Sequence, residues 1–193
     1  TASQVFNVPL DMVTPIMRSR AKAVNFGIVY GIGAFSLAKD IGVSNKEASQ
    51  YIKNYLAHYS GVDEYMKNVV EKAKQDGYVE TMFGRRRYLP ELTSGKAMLR
   101  KFGERVARNM PIQGTAADII KIAMIRVNDR LKKEGLQSRL ILQIHDELIV
   151  EAPIDESLYV AKLLQEEMEN AVALDVPLTA DAAVGKTWYD AKG

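Results

Sequence analysis

Helical spacing of apolar and polar positions runs through most of the chain, and strand-like alternation is confined to short stretches. Residues 1–8 read as the end of a helix, after which Pro9, Asp11 and Pro15 punctuate a short connection. Thr14-Pro15 suits a helix start, because a proline in the first turn gives up an N–H that has no helical partner there. That helix is predicted to reach Tyr30, where Gly31, Gly33 and Ala34 break it. A short helix over 35–41 is closed by Gly42, and Ser44 with Glu47 forms a capping-box pair opening a helix to Tyr59. Val62, Tyr65, Met66, Val69, Val70 and Ala73 then keep helical spacing up to Gly77.

Residues 78–83 alternate like a strand, and 84–88 (Gly-Arg-Arg-Arg-Tyr) read as a basic turn. Residues 99–131 have the pattern of one long helix, which Pro111 is expected to kink or to divide at Met110. After a linker over 136–139, residues 140–144 and 148–150 read as a strand pair with His145-Asp146-Glu147 at its tip. The apolar strands on either side predict that this tip is buried, an expensive place for charge unless something uses it. Residues 153–156 cap a last helix to Val172, whose Glu156, Glu166, Glu167 and Glu169 read as a solvated face. Residues 176–184 alternate like a strand, and Trp188 and Tyr189 are expected to pin the terminus.

One pattern carries more than structure. Arg18, Lys22, Phe26 and Tyr30 recur every four residues, and each such step advances a helix by about 400°, so they form one slowly drifting stripe. Two cations lead two aromatics over about 18 Å, enough to span a triphosphate, its sugar and its base. Gly27 and Gly31 leave no Cβ beside the aromatics, which would let a base or a second backbone come close. The plainer reading is an amphipathic helix with a solvated Arg/Lys edge and with Phe26 and Tyr30 in the core.

Two further stretches admit a similar pair of readings. Arg85, Arg86 and Arg87 are followed by Lys96, Arg100, Lys101, Arg105 and Arg108, with Glu91 and Glu104 the only acids between Phe83 and Arg108. This is either a solvated loop and helix face or a footprint for a phosphate backbone beside Tyr88. Arg105, Asn109 and Gln113 stand at four-residue spacing, and long polar groups of this kind suit the minor-groove edge of a duplex, where they check shape rather than sequence. A polar helix face is the alternative. Asp118 reads as a structural carboxylate.

Composition narrows the classes. The 193 residues carry 26 Lys+Arg against 24 Asp+Glu, a formal net charge of +2, so any basic footprint must be local. Without cysteine there is no disulfide framework and no thiolate zinc site. No long apolar run or lipidation motif is present, so no membrane association is expected. The chain starts at Thr1 without an initiator Met and looks like a piece of something longer.

The wording of three stretches is more specific than their spacing. Arg-x-x-x-Lys-x-x-x-Phe-Gly-x-x-Tyr-Gly over 18–31, with Asn25 before Phe26, resembles the nucleotide-binding helix of the family A DNA polymerases, the bacterial DNA polymerase I family. Arg-x-x-x-Asn-x-Pro-x-Gln-Gly-Thr-Ala-Ala-Asp over 105–118 resembles the family's primer–template segment, and Leu-Gln-Ile-His-Asp-Glu-Leu-Ile-Val over 142–150 resembles its palm motif. The resemblance covers essentially the whole chain. It implies an α+β fold: mainly helical fingers over 1–100, then a partial palm over 101–193 with a small antiparallel sheet. It implies that the chain is part of a template-directed DNA polymerase of replication and repair in the bacterial cytoplasm, associated with the nucleoid.

Residue by residue, the resemblance gives Arg18 and Lys22 the incoming triphosphate, with Lys22 also neutralising or protonating the departing pyrophosphate. Phe26 packs on sugar and base, and Tyr30 stacks on the templating side. Arg105, Asn109, Gln113, Arg85 and Arg86 contact primer–template DNA, His145 lies by the primer terminus, and Asp146, with Glu147 beside it, binds catalytic Mg²⁺, two ions in the intact enzyme. The family's second metal-binding aspartate, in an Asp-Tyr-Ser-x-Ile-Glu-like motif, should lie ahead of Thr1, so the chain alone is expected not to polymerise. Its exposed partial palm is expected to let it self-associate. The alternatives are a non-catalytic nucleic-acid-binding module using the 85–108 tract, and a small metal-dependent hydrolase using His145, Asp146 and Glu147. The hydrolase needs further ligands, and the only other histidine, His58, lacks a partner motif.

Overall fold

The structure, a computed structural model, describes residues 2–6 and 8–192. The chain is mainly helical, with two two-stranded antiparallel sheets, and divides into two compact units, Thr1–Ile112 and Gln113–Gly193. In the first unit, α1 (Ala2–Phe6) answers to the helix end expected over 1–8, of which Thr1 and Asn7 lie outside the described residues. Then follow α2 (Pro15–Val29), α3 (Ala34–Ile41), α4 (Asn45–His58) and α5 (Ser60–Asp76).

The punctuation read from the sequence fixes these boundaries. Thr14 caps α2 by accepting the Met17 N–H at 3.2 Å, with Pro15 in the first turn. Ser44 and Glu47 make the reciprocal capping box of α4, the Glu47 N–H donating to the Ser44 hydroxyl at 3.2 Å and the Ser44 N–H to the Glu47 carboxylate at 2.9 Å. Gly42 and Gly77 end α3 and α5 in the left-handed conformation. Val24 and Ile28 of α2, Leu37 and Ile41 of α3, Ala48 and Tyr55 of α4 and Met66 of α5 form one core.

Strands β1 (Tyr78–Glu80) and β2 (Arg86–Tyr88) pair with Val79 opposite Arg87. The stretch expected as a basic turn is thus largely the return strand, and the turn itself lies at Met82 and Phe83. Val79 packs with Val70, Ala73, Leu89, Leu92 and Ala107 in a second core of this unit.

Helix α6 (Ala97–Lys133) crosses from one unit into the next with Pro111 inside it and is not divided at Met110, since a proline removes only its own N–H bond and the turns on either side keep theirs. In the second unit, α6 packs Ala123, Val127 and Leu131 against Leu148 and against Val160 and Leu163 of α7 (Ser157–Glu169). Strands β3 (Arg139–Ile144) and β4 (Glu147–Glu151) pair with a bulge at Ile141.

Three expectations fail in this unit. Residues 176–184 form no strand, since no backbone among the described residues pairs with them as a ladder. The acids of α7 are engaged rather than merely solvated: Glu166 and Glu167 reach Arg130 at 2.8 and 3.1 Å, and Glu169 accepts the Ala180 N–H at 3.0 Å. Glu156 accepts from the Gln137 and Ser138 amides, each at 3.0 Å, and from the Ser138 hydroxyl, which ties the start of β3 to the start of α7. The last helix is instead α8 (Trp188–Lys192), where Trp188 is anchored but Tyr189 stands 88% exposed. Among the described residues, no helix is long and apolar enough to cross a membrane.

Candidate functional site

The packing of α2 settles which way its stripe faces. Ala21, Val24 and Ile28 are buried, so the opposite side of the helix is left to solvent. Arg18, Lys22, Phe26 and Tyr30 all lie on that side, and Phe26 is 47% and Tyr30 40% exposed. The reading that put these two rings in the core is overturned by the small and branched residues that fill it instead. The Phe26 and Tyr30 rings are nearly parallel, 15° apart with centroids at 6.3 Å, and the Lys22 ammonium sits 5.9 Å from the Phe26 centroid. Arg18, Lys22 and Asn25 line an open cleft of about 750 Å³ with Ala2, Leu10 and Val13. Its wall is fixed from behind, because the buried Tyr55 hydroxyl donates to the Asn25 side chain at 2.5 Å. Burial pushes the Tyr55 phenol above its ordinary value, which keeps it a donor at neutral pH.

The glycines of the stripe make room, as expected, but for the protein itself rather than for a base. Gly31, at φ +74, donates its N–H to the Ile28 carbonyl at 2.9 Å, and the Ile32 N–H reaches the Gly27 carbonyl at 2.7 Å, a Schellman closure of α2. Ile32 thereby folds back over Gly27, where a Cβ would stand 2.7 Å from the Ile32 Cγ2. Gly27 therefore accommodates the chain's own return and offers no space to a base. A Cβ at Gly31 would lie 3.5 Å from the Arg105 side chain and 3.5 Å from the Arg108 guanidinium. The end of the stripe thus meets the basic face of α6, and Arg108, read in the sequence as part of the basic tract, stands at that end.

On α6, Arg105 and Gln113 are exposed, while Asn109 is half-buried with its Oδ1 buried and without a hydrogen-bond partner among the described residues. Glu104 is neutralised by Lys74 at 3.2 Å, which leaves the surrounding cations dominant. Asp118 is buried. In the β1–β2 hairpin, Arg85 precedes β2 and is exposed, whereas Arg86 is engaged by Glu80 at 3.2 Å and lies 4.4 Å over the Tyr78 ring.

In the second unit, His145 and Asp146 make a two-residue turn, with His145 at φ +52 and its carbonyl held by the Gln143 side chain at 2.7 Å. The tip is exposed and not buried as expected, because the sheet has two strands and the Ile141 and Leu142 side chains of β3 stand uncovered among the described residues. No hydrogen bond or ion pair engages Asp146 among the described residues. Glu147 is held by the Lys192 ammonium at 3.0 Å and the Trp188 indole N–H at 3.3 Å. Trp188 thus pins the terminus as expected, while its partner Glu147 and the role of Lys192, whose ammonium lies 5.0 Å from the Trp188 ring, have no signal in the sequence. No group of three or more His, Cys, Asp or Glu able to hold a metal occurs among the described residues, so the hydrolase reading gains no ligand set.

Comparison with known proteins agrees over the whole chain. The sequence profile of DNA polymerase family A matches residues 1–190. The chain is 56% identical over 192 residues to a DNA polymerase I of Bacillus caldotenax and 55% identical over 192 residues to that of Bacillus subtilis, covering all of this chain and 22% of each relative. The DNA polymerase I of Pseudomonas aeruginosa is 50% identical over 191 residues, 99% of this chain and 21% of that relative. A solved structure, the POL domain of Pol1 from M. smegmatis in complex with DNA primer–template and dNTP, superimposes with a TM-score of 0.94 at 46% identity, covering all of this chain and 34% of that one. The chain therefore spans about 22% of the length of the curated relatives it matches.

Proposed function

This chain belongs to DNA polymerase family A, and from that membership we propose that it is the part of a template-directed DNA polymerase that binds the incoming deoxynucleotide and supplies one of the metal-binding carboxylates. Residues 1–100 are then fingers and 101–193 a partial palm, in an enzyme of bacterial replication and repair working in the cytoplasm on nucleoid DNA. The observation that carries the reading is the α2 stripe, held outward by a packed core with its cations on an open cleft. The primer–template and dNTP in the complex of the M. smegmatis relative support the same partners here.

The residues divide the work by their chemistry. Arg18 can grip phosphate oxygens in two places at once, and Lys22 offers a compact charge that neutralises or protonates the departing pyrophosphate. Phe26 packs on the sugar and base, and Tyr30 stacks on the templating side. Arg105, Asn109 and Gln113 present donors and acceptors to the minor groove, Arg85 and Arg86 reach the backbone, and His145 adjoins the primer terminus. Asp146, an exposed carboxylate without a protein partner among the described residues, fits Mg²⁺ as one hard oxygen ligand, and Glu147 stands beside it held by Lys192. Bound magnesium supplies Lewis-acid stabilisation of the attacking and leaving oxygens when a primer 3′-OH displaces pyrophosphate.

One free carboxylate does not hold two ions, so the chain by itself does not extend primers. Ile141 and Leu142 on an open strand edge drive it to self-associate, which light scattering at rising concentration reads directly. The function is tested by single-nucleotide primer extension with Mg²⁺, on this chain and on a longer one that adds the Asp-Tyr-Ser-x-Ile-Glu-like strand. Extension by the longer chain alone is the expected result. Extension by neither, with DNA binding that ignores Mg²⁺ and falls steeply with salt, would favour the non-catalytic binding module.

A further inference from the structure

The turn between β1 and β2 is built to hold large apolar side chains in solvent. Thr81 is buried, and its hydroxyl accepts the Phe83 and Arg85 amides, each at 3.2 Å. Its own N–H donates to the Arg85 carbonyl and its carbonyl accepts from Gly84, both at 3.0 Å, with Gly84 at φ +78. Four bonds to one buried residue fix the loop backbone, so its side chains are presented rather than left to seek a pocket. Such positions ordinarily carry Gly, Asn, Asp or Ser. Here Met82 is 71% and Phe83 46% exposed.

The cations beside this tip are not equivalent. Arg86 is engaged within the hairpin by Glu80 and Tyr78. Arg87 is exposed and meets no hydrogen-bond or ion-pair partner among the described residues. An exposed ring on a turn of fixed backbone, and an available guanidinium on the strand that follows it, offer the two kinds of contact an unpaired nucleotide takes, a stacking face for its base and a cation for its phosphate. Paired bases inside a duplex present no such face. A purely apolar protein partner would leave the cation unmatched.

We infer that Phe83 is a stacking platform for an unpaired base of the bound nucleic-acid strand, with Arg87 on a neighbouring phosphate. The inference rests on the nucleic-acid reading above and adds to it a single-stranded partner and the residues that hold it. The test titrates the 193-residue chain with fluorescein-labelled oligo-dT, with an abasic strand of equal length and with a fully paired duplex, at salt from about 50 to 200 mM. The wild type should bind oligo-dT about tenfold more tightly than the abasic strand, and Phe83→Ala should erase that difference without changing the salt slope. Phe83→Trp should retain it, and Arg87→Ala should reduce the salt slope by about 1. Circular dichroism establishes that each variant keeps the wild-type helix content. Wild-type oligo-dT affinity in Phe83→Ala, or equal wild-type affinity for the base-bearing and abasic strands, would overturn the inference. Duplex binding by Phe83→Ala at wild-type strength leaves the duplex-contact reading standing whichever way the stacking test falls.

Discussion

Helix α2 and the β3–β4 hairpin both put their charged residues into solvent, and they do so for opposite reasons. On α2 the exposure is a product of packing: Ala21, Val24 and Ile28 lock one side into a core, and the other side is thereby a fixed surface. At the hairpin the exposure comes from an incomplete sheet, with Ile141 and Leu142 bare on β3 and Asp146 on a two-residue turn. One side of a helix can carry two cations and two rings together, as α2 does across the cleft from Ala2, Leu10 and Val13, whereas a carboxylate on a strand turn needs neighbouring strands to gather further ligands. On the proposed reading, the α2 face would take the nucleotide with residues of one helix, and the hairpin would contribute one part of a metal site.

The largest effects should separate these two regions by the kind of loss they cause. In a polymerase carrying these residues, Asp146→Asn should lower single-nucleotide extension by about 10³-fold or more while primer–template affinity stays within about tenfold, as gel-shift titration would show. Lys22→Ala should cost about 10²-fold in kcat and also raise KM for the nucleotide, if its charge serves both the bound triphosphate and the leaving group as proposed. Equal effects of the two changes on KM would erase the distinction.

Smaller effects test the packing argument. Val24, fully buried, should cost about 2 kcal/mol of unfolding free energy on truncation to Ala, and Phe26→Ala less than about 1 kcal/mol, despite the larger side chain. A reversed order in urea melts would put the Phe26 ring back in the core. Gly31→Ala, forced to φ +74, should cost about 1–2 kcal/mol in the same assay. The smallest effect belongs to Glu156, whose carboxyl the Ser138 hydroxyl and the Gln137 amide hold below the ordinary 4.5. A lowered folded-state pKa contributes stability above the unfolded value that is lost as pH falls through the folded one. Glu156→Gln should therefore be less stable than wild type at neutral pH, with thermal melts converging in acid.

The boundaries of the helices were legible because their signals are local: Thr14-Pro15, the Ser44–Glu47 box, and Gly42 and Gly77 each act within one turn. The stripe was legible as a stripe, but its direction was not, since that depends on what α3 and α4 place behind α2. Which of a base or a returning backbone uses the space at Gly27 is not legible for the same reason, as Ile32 returns over it only through the Schellman closure. Alternation over 176–184 creates no strand without a partner, and the Arg85–Arg87 run reads as a turn because three exposed cations hide the strand that Val79 pairs with. The clamp of Lys192 and Trp188 on Glu147 joins residues over forty positions apart and has no local signature.

The most direct measurement is equilibrium binding of a fluorescent deoxynucleoside triphosphate to the 193-residue chain in Mg²⁺, wild type beside Lys22→Ala, with Glu156→Gln as a control remote from α2 in sequence. If the outward face of α2 is the nucleotide site, the wild type and Glu156→Gln should saturate alike, and Lys22→Ala should bind about tenfold more weakly or worse. Absence of saturable binding in the wild type, or equal affinity in Lys22→Ala, would contradict it.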